Sequence, residues 1–275
     1  MLTDRSRRVR EARKLHRRAA RQRAGMFLAE GPQAIREALG ESTGSRPGHV
    51  VEIFAAVSTA PRHTGLLDDA ARAGVTVHIA DDAALAFVSE TVTPQGLVAV
   101  CRQVTAGLDE ALAGQPTLVA VLADVRDPGN AGTVIRCADA AGADAVILSG
   151  DSVDPHGGKC VRSSAGSLFH LPVVAGVPTA EAVRALRDRG LTLLAADGAG
   201  ATDLDTAEDD GLLGNPTAWL FGNEASGLPE DVRALADQIV RIPIHGRAES
   251  LNLATAAAVC LYASARARRR DRRAS

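Results

Sequence analysis

The chain has 275 residues, room for one large domain or two ordinary ones of about 100–200 residues each. Its hydrophobic content of 46% is that of a globular protein, but aromatics reach only 3%, so Ala, Val and Leu must build the core and little ring surface remains for stacking. The formal net charge of −2 conceals a division, because residues 1–23 carry +8, residues 266–273 carry +5, and the body between them is left at −15.

No run approaches the ~18 apolar residues of a membrane span, and the basic N-terminus lacks the apolar centre of a signal peptide, so a soluble cytoplasmic protein with no membrane partner is expected. Cys101, Cys137, Cys160 and Cys260 lie far apart with no CxxC or Cys/His ligand spacing, and the seven His form no HExxH pattern. Buried small hydrophobes are the expectation for these cysteines, and no metal site is expected. Basic ends on an acidic body suit phosphate contact at chosen places. A solvated helix face with a frayed tail suits the same charges.

Residues 5–23 space Val9, Ala12, Leu15 or His16, Ala19 and Ala20 among arginines as a one-sided basic helix. FLAEGPQAIREAL (residues 27–39) follows, with Pro32 positioned to open a second helix. Apolar runs at 50–57, 75–79 and 97–100, with a helical LLDDAARAG between the first two, complete a small α/β domain over 1–101. Residues 102–116 read as a linker with room for one helical turn. Over 117–275 the pattern restarts: strands at 118–123, 144–149, 171–175, 191–196, 217–222 and 238–244 alternate with helices at 130–141, 178–189, 229–236 and 250–269. Continuous apolar strands alternating with helices predict a parallel sheet covered on both faces, with ligands at the carboxyl ends of its strands.

Three loops at such ends stand out. ADVRDPGNAGTVIRCADAAG (123–142) turns at Asp127-Pro128-Gly129 and starts a helix at Asn130, a residue suited to cap it. Gly132 and Arg136 sit one turn apart, which would give the Arg room to act, although a capped helix with an exposed Arg needs no such role. WLFGNEASGLPEDV (219–232) places Glu224 between two glycines where a strand ends, as backbone contact with a ligand would require. RIPIHGRAESLNLATAAAV (241–259) joins an apolar piece to the last helix, with Ser250 as its expected cap and Leu251 and Asn252 in its first turn, where free N–H groups favour polar or anionic ligands.

In order and wording, NAGTVIR, FGNEASGL and IPIHGRAESLNLATAAAV resemble the three motifs of the SpoU (TrmH) family of RNA ribose 2'-O-methyltransferases, within the SPOUT superfamily. VDPHGGKCVRSSAGSLFHLPV (153–173) is similar to a further stretch of that family, and the resemblance covers about residues 117–265. KLHRRAARQRAGMFLAEGPQAIREAL resembles the ribosomal-protein-like RNA-recognition module found ahead of such catalytic domains. The resemblance implies an α/β catalytic domain with a deep trefoil knot, an S-adenosylmethionine site completed by homodimerisation, and a structured RNA substrate, with ribosomal RNA preferred to tRNA. It places cofactor contacts at Leu220, Gly222, Ile242, Ile244 and Leu251, with Ser149 or Gly150 beside them. It assigns Asn130, Arg136, Glu224, Ser250 and Asn252 to catalytic and substrate-ordering positions, and it gives no role to His245–Glu249. An Arg with a pKa above about 12 stays charged, so Arg136 is expected to hold phosphate and stabilise the developing oxyanion rather than act as a base.

Other enzyme classes fit poorly. DGAGATD (197–203) lacks the GxGxxG of a dinucleotide site, the Gly-Gly-Lys at 157–159 is no P-loop, and Ser163-Ser164-Ala165-Gly166-Ser167 is no nucleophile elbow. A non-catalytic RNA-binding scaffold that keeps the fold is the competing reading. The presence of Asn130, Arg136, Glu224 and Asn252 together argues against it.

Overall fold

Every apolar run assigned to a strand from sequence forms one. The computed structural model describes residues 1–40 and 48–274, with side chains as far as Arg270. Its contacts divide the chain into two units, Met1–Val104 with His156–His170, and Thr105–Pro155 with Leu171–Ser275.

In the first unit, β1 (Met26–Glu30), β2 (Val50–Ala56), β3 (Thr76–Ala80) and β4 (Leu97–Arg102) form a sheet in the order β1-β4-β2-β3. β4 runs antiparallel to both its neighbours and β2 pairs parallel with β3, the helix Thr64–Arg72 making the crossover that a parallel pair needs. Val9, Ala12 and Leu15 pack with Phe54, Leu85 and Val98 in one core. The basic helix expected over 5–23 is two helices, Arg7–Lys14 and Arg18–Ala24. The break is stabilised by Arg21, a buried guanidinium that donates to the carbonyls of Leu15 (2.9 Å) and His16 (2.8 Å), groups that a continuous helix would have used itself. Gly31 and Pro32 open the helix Pro32–Leu39 where expected.

In the second unit, β5 (Leu118–Ala123), β6 (Ala145–Ser149), β7 (Val173–Val177), β8 (Thr192–Ala196), β9 (Thr202–Asp203), β10 (Thr217–Phe221) and β11 (Gln238–Arg241) form a fully parallel sheet ordered β7-β6-β5-β10-β8-β11-β9. β5 and β10 lie centrally and are buried along their whole length, which is why they read as unbroken apolar runs. On one face Val119, Val121, Leu193 and Leu220 pack with Val183 and Leu186 of the helix Thr179–Arg187. On the other, Trp219 donates its indole N–H to Ser264 Oγ (2.9 Å) of the helix Leu253–Ala274, both residues being inaccessible to solvent.

Two boundaries differ from the sequence reading. Residues 102–116 were expected to be a linker with room for one helical turn; that turn forms at Leu108–Ala111, but Ala111 and Leu112 enter the core of the second unit. Residues 156–170 were expected in the catalytic domain, yet they belong to the first unit, because Phe169 and His156 face the Phe27 ring of β1 at 6.0 and 4.7 Å. Cys101, Cys160 and Cys260 are buried, and burial pushes the thiols of Cys101 and Cys260 up from their ordinary range. Among the described residues no helix is long and apolar enough to cross a membrane.

Ser264→Ala leaves the Trp219 N–H buried without an acceptor, and is expected to cost about 1–3 kcal/mol. Trp219 is the only tryptophan, so its own fluorescence during urea unfolding reports the shift.

Candidate functional site

The loops after β5, β8, β10 and β11 converge at the carboxyl edge of the parallel sheet, each held by the turn chemistry of its own sequence. After β5, Asp127 caps the helix Pro128–Ala141: its side chain accepts from the amide of Asn130 (2.8 Å) and Pro128 takes the first helical position. The cap was expected at Asn130. Because Asp127 takes that task, the Asn130 side chain is released to point elsewhere. After β10, Asn223 forms an Asx turn, accepting from the amides of Ala225 (2.9 Å) and Ser226 (3.3 Å), while its own amide donates to the Asp124 carbonyl (2.8 Å). Asn223 and Gly227 exchange backbone hydrogen bonds, which folds the chain so tightly that a Cβ on Gly222 would lie 2.3 Å from Gly227.

The two loops are joined by Glu224. Its carboxylate accepts from Arg126 N (3.3 Å), Asp127 N (3.2 Å) and Asn130 Nδ2 (3.1 Å). Asn130 Oδ1 in turn accepts from Asn252 Nδ2 (3.1 Å), and Asn252 Oδ1 accepts from the amides of Ala254 (2.9 Å) and Thr255 (3.4 Å). The last helix therefore begins at Leu253 and is capped by Asn252. Ser250, expected as the cap, lies exposed before it, and Leu251 and Asn252 precede the first turn instead of lying within it. A shorter side chain two residues away could not reach the amides that Asn252 satisfies.

The loops after β8, β10 and β11 enclose a cavity of about 310 Å³ walled by Phe221, Gly222, Leu228, Ile242, Ile244 and Leu251, with Ser250 beside them. Asp197, Glu224 and Glu249 also line it, and among the described residues no Lys, Arg or His does. Such a lining suits a ligand with a flat apolar part and net positive charge. Asp197 is a partial exception, since Arg233 Nη1 lies 3.8 Å from its Oδ2. Just before β9, Gly200 lies close against the edge of β11, where a Cβ would meet Arg241 N and Ile239 O at 2.7 Å.

The residues nominated from sequence thus divide. Asn130, Glu224 and Asn252 form one hydrogen-bonded chain, and Gly222, Ile242, Ile244, Ser250 and Leu251 line the cavity. Leu220 is sealed in the core one residue before the lining begins. Ser149 is also off the lining: it is buried on β6 and its hydroxyl is engaged with the Leu122 carbonyl and Thr179 Oγ1. Arg136 is exposed, off the lining, and has no hydrogen bond or ion pair among the described residues. Gly132 is buried while Arg136 is exposed, so the Gly serves the packing of its helix and does not clear space for the Arg. Asn223, Asp197 and Glu249 were missed. The signal for Asn223 was present, since an Asn between glycines at a strand end is an Asx-turn residue. Among the described residues no group of three metal-ligating side chains occurs.

The basic ends are less free than their charge suggests. Arg8 bonds Glu52, Arg13 donates to the Phe87 carbonyl (2.7 Å) and stacks on its ring, and Arg21 is buried. Arg266 and Arg270 pair with Glu208, whose carboxyl is held below its usual range first by the Arg266 hydrogen bond, and Arg268 bonds Thr117. Arg10, Arg17, Arg18, Arg23 and Arg269 are exposed with no such partner among the described residues. The side chains of Asp271, Arg272 and Arg273 lie outside the described residues.

Two family models match the chain. The SpoU rRNA Methylase family matches residues 117–262, and the MRM3-like substrate binding domain matches residues 6–99. The chain is 34% identical, over 92% of its length and 94% of the other, to 23S rRNA (guanosine(2553)-2'-O)-methyltransferase RlmP of Bacillus subtilis. Among solved structures it resembles the SpoU methyltransferase AviRb of Streptomyces viridochromogenes in complex with AdoMet, with 31% identity, TM-score 0.80 and coverage of 98% of this chain and 100% of that one. It also resembles the AdoMet-bound rRNA methyltransferase of Sinorhizobium meliloti, with 30% identity, TM-score 0.80 and 95% of each chain covered.

Gly222→Ala forces a methyl group against the Gly227 backbone, and is expected to destabilise the protein by about 1–3 kcal/mol. Hydrogen exchange should speed up at the Asn223 and Gly227 amides, which bond each other's carbonyls, and remain slow in the central strands.

Proposed function

The chain belongs to the SpoU rRNA Methylase family, and from that premise we propose that it transfers a methyl group from S-adenosylmethionine to a ribose 2'-oxygen of 23S ribosomal RNA. It is a transferase with a structured RNA as substrate. The observation that carries this reading is an acid-lined cavity walled by the second and third motif loops at the carboxyl edge of the sheet, with the first motif loop hydrogen-bonded to both through Glu224 and Asn252.

The cavity suits the cofactor on chemical grounds. About 310 Å³ falls at the lower end of the ~300–1,000 Å³ of small-molecule sites. Ile242, Ile244, Leu251 and Leu228 offer apolar walls for a purine, and Gly222 lets backbone come close to it. Asp197, Glu224 and Glu249 put negative charge near a ligand that carries a sulfonium and an ammonium. When bound, S-adenosylmethionine supplies the electrophilic methyl group, with no metal in the step.

The chain's own residues must align a ribose and assist loss of a proton from a weakly acidic hydroxyl. The Arg136 guanidinium offers N–H donors and no acceptor for that proton. Its part is to hold an RNA phosphate through its guanidinium fork and to stabilise charge building on the 2'-oxygen. Glu224, Asn130 and Asn252 act by holding the β5, β10 and β11 loops in register, and exposed Ser250 stands at the cavity wall to meet the substrate.

In this reading the first unit, Met1–Val104 with His156–His170, is the substrate-binding domain and the second unit the catalytic one. At the basic ends of the chain the RNA surface includes the exposed arginines Arg10, Arg17, Arg18 and Arg23 in the first unit and Arg269 in the second. The parallel sheet carries a deep trefoil knot, supported by family membership. The protein works as a homodimer, supported by Val259 (38% exposed) and Tyr262 (51%) on the outer face of the last helix. Its place is the cytoplasm, where ribosomal RNA is made available to it.

Ribose-methylation mapping of total RNA with and without the protein should show one added 2'-O-methyl nucleotide in 23S rRNA. A mark in tRNA alone would replace the substrate, and no mark at all would sink the reading. Arg136→Ala is expected to lower methyl transfer by about 10²–10³-fold, while calorimetry finds S-adenosylmethionine affinity unchanged. Arg136→Lys should stay impaired, since an ammonium lacks the bidentate fork.

A further inference from the structure

The first unit holds a cavity that the proposed reaction does not use. It measures about 300 Å³ and is lined by Gln33, Thr91, Thr93, Gln95 and Arg162 beside Gly31. Its floor is rigidly made. Glu30, whose side chain is only 7% exposed, accepts from Ser89 Oγ (2.6 Å), Thr91 Oγ1 (3.1 Å) and the amide of Glu90 (2.7 Å). Those bonds tie the start of the loop over residues 89–96 to the end of β1, so the rest of the loop is preorganised. Gly31 has φ +89°, and its Cβ position would lie 2.5 Å from Gln95 Oε1, so the glycine leaves room for that amide. On the opposite wall Ala165 holds φ 50°, a left-handed conformation that a residue with a Cβ seldom adopts.

The groups left available have one chemistry. The Gln95 amide and the Thr93 hydroxyl make no hydrogen bond among the described residues, and Val92 between them and Thr91 is fully exposed at the loop tip. Arg162 is already committed to Glu30 (3.4 Å) and Glu90 (3.6 Å), so the cavity is poorly suited to a phosphate. A primary amide sets a donor beside an acceptor in one plane, the arrangement that matches the edge of a nucleobase. Unpaired RNA bases are recognised through such edges, with apolar side chains against their faces.

We propose that this cavity receives one unpaired nucleobase of the RNA substrate, with Gln95 and Thr93 reading its edge and Ala34 and Ala165 supplying apolar wall. The proposal rests on the function proposed above, and the match of residues 6–99 to a substrate binding domain agrees with it.

The test uses the full chain and an unmodified 23S rRNA transcript, with single-base substitutions at unpaired positions inside the segment the protein protects. Gln95→Ala and Thr93→Val are expected each to weaken transcript binding about tenfold, the effect of losing one base-directed contact. Both should keep the wild-type melting temperature and S-adenosylmethionine affinity. The wild type should discriminate among bases at one unpaired position, and Gln95→Ala should lose that discrimination alone. Variants that bind as tightly as the wild type and keep its base preferences would overturn the proposal. A wild-type protein that neither binds nor methylates the transcript would instead overturn the proposed function.

Discussion

The site depends on one carboxylate with three donors. Glu224 reaches from the end of β10 to the amides of Arg126 and Asp127 and to the Asn130 side chain, residues that lie more than ninety positions earlier in the chain. A carboxylate is an acceptor throughout, so it can satisfy all three without turning a donor against any of them. Everything around it follows. Asp127 frees Asn130 by taking over the helix cap, Asn130 passes the connection to Asn252, and Asn252 fixes where the last helix begins. Three motifs distant in sequence become a single polar chain beside the cavity.

Charge is partitioned by the fold as much as by the sequence. The cavity collects Asp197, Glu224 and Glu249 with no cation on its wall among the described residues, while many of the arginines at the chain ends are spent on structure. Arg21 fills a helix break, Arg13 covers a Phe ring, and Glu208 holds both Arg266 and Arg270. A count of basic residues therefore overstates the surface available to a polyanion. The arginines without partners are the ones whose phosphate contacts would make binding salt-sensitive.

The parallel sheet was legible in the sequence because β5, β6, β8 and β10 are buried on both faces and show as unbroken apolar runs. β9 was not, since two residues at a sheet edge leave no periodicity. The break at Leu15–Arg17 was hidden because Val9, Ala12 and Leu15 hold helical spacing up to the break, and only a buried Arg21 reveals what stabilises it. The motifs located the loops correctly, but tasks within each loop shifted by a few residues. Asp127 and Asn252 cap helices in place of Asn130 and Ser250, a choice set by which side chain reaches a free amide and not by residue type. Ser149 shows the limit of position alone. It lies at the end of a strand like the residues of the site, yet its hydroxyl is turned into the sheet and satisfied there.

The first unit is not contiguous in the chain. His156–His170, which it needs to cover Phe27 and to place Arg162 beside Glu30, is separated from the rest of it by β5 and β6 of the second. A ribosome therefore delivers two central strands of the parallel sheet before the N-terminal unit has its full sequence. Domains made in order usually fold in order. Here the N-terminal one must wait, exposing the Phe27 side of β1 to solvent or chaperone while unpaired strands accumulate behind it. The two units mature in overlapping time, because the segment that completes the first is made in the middle of the second.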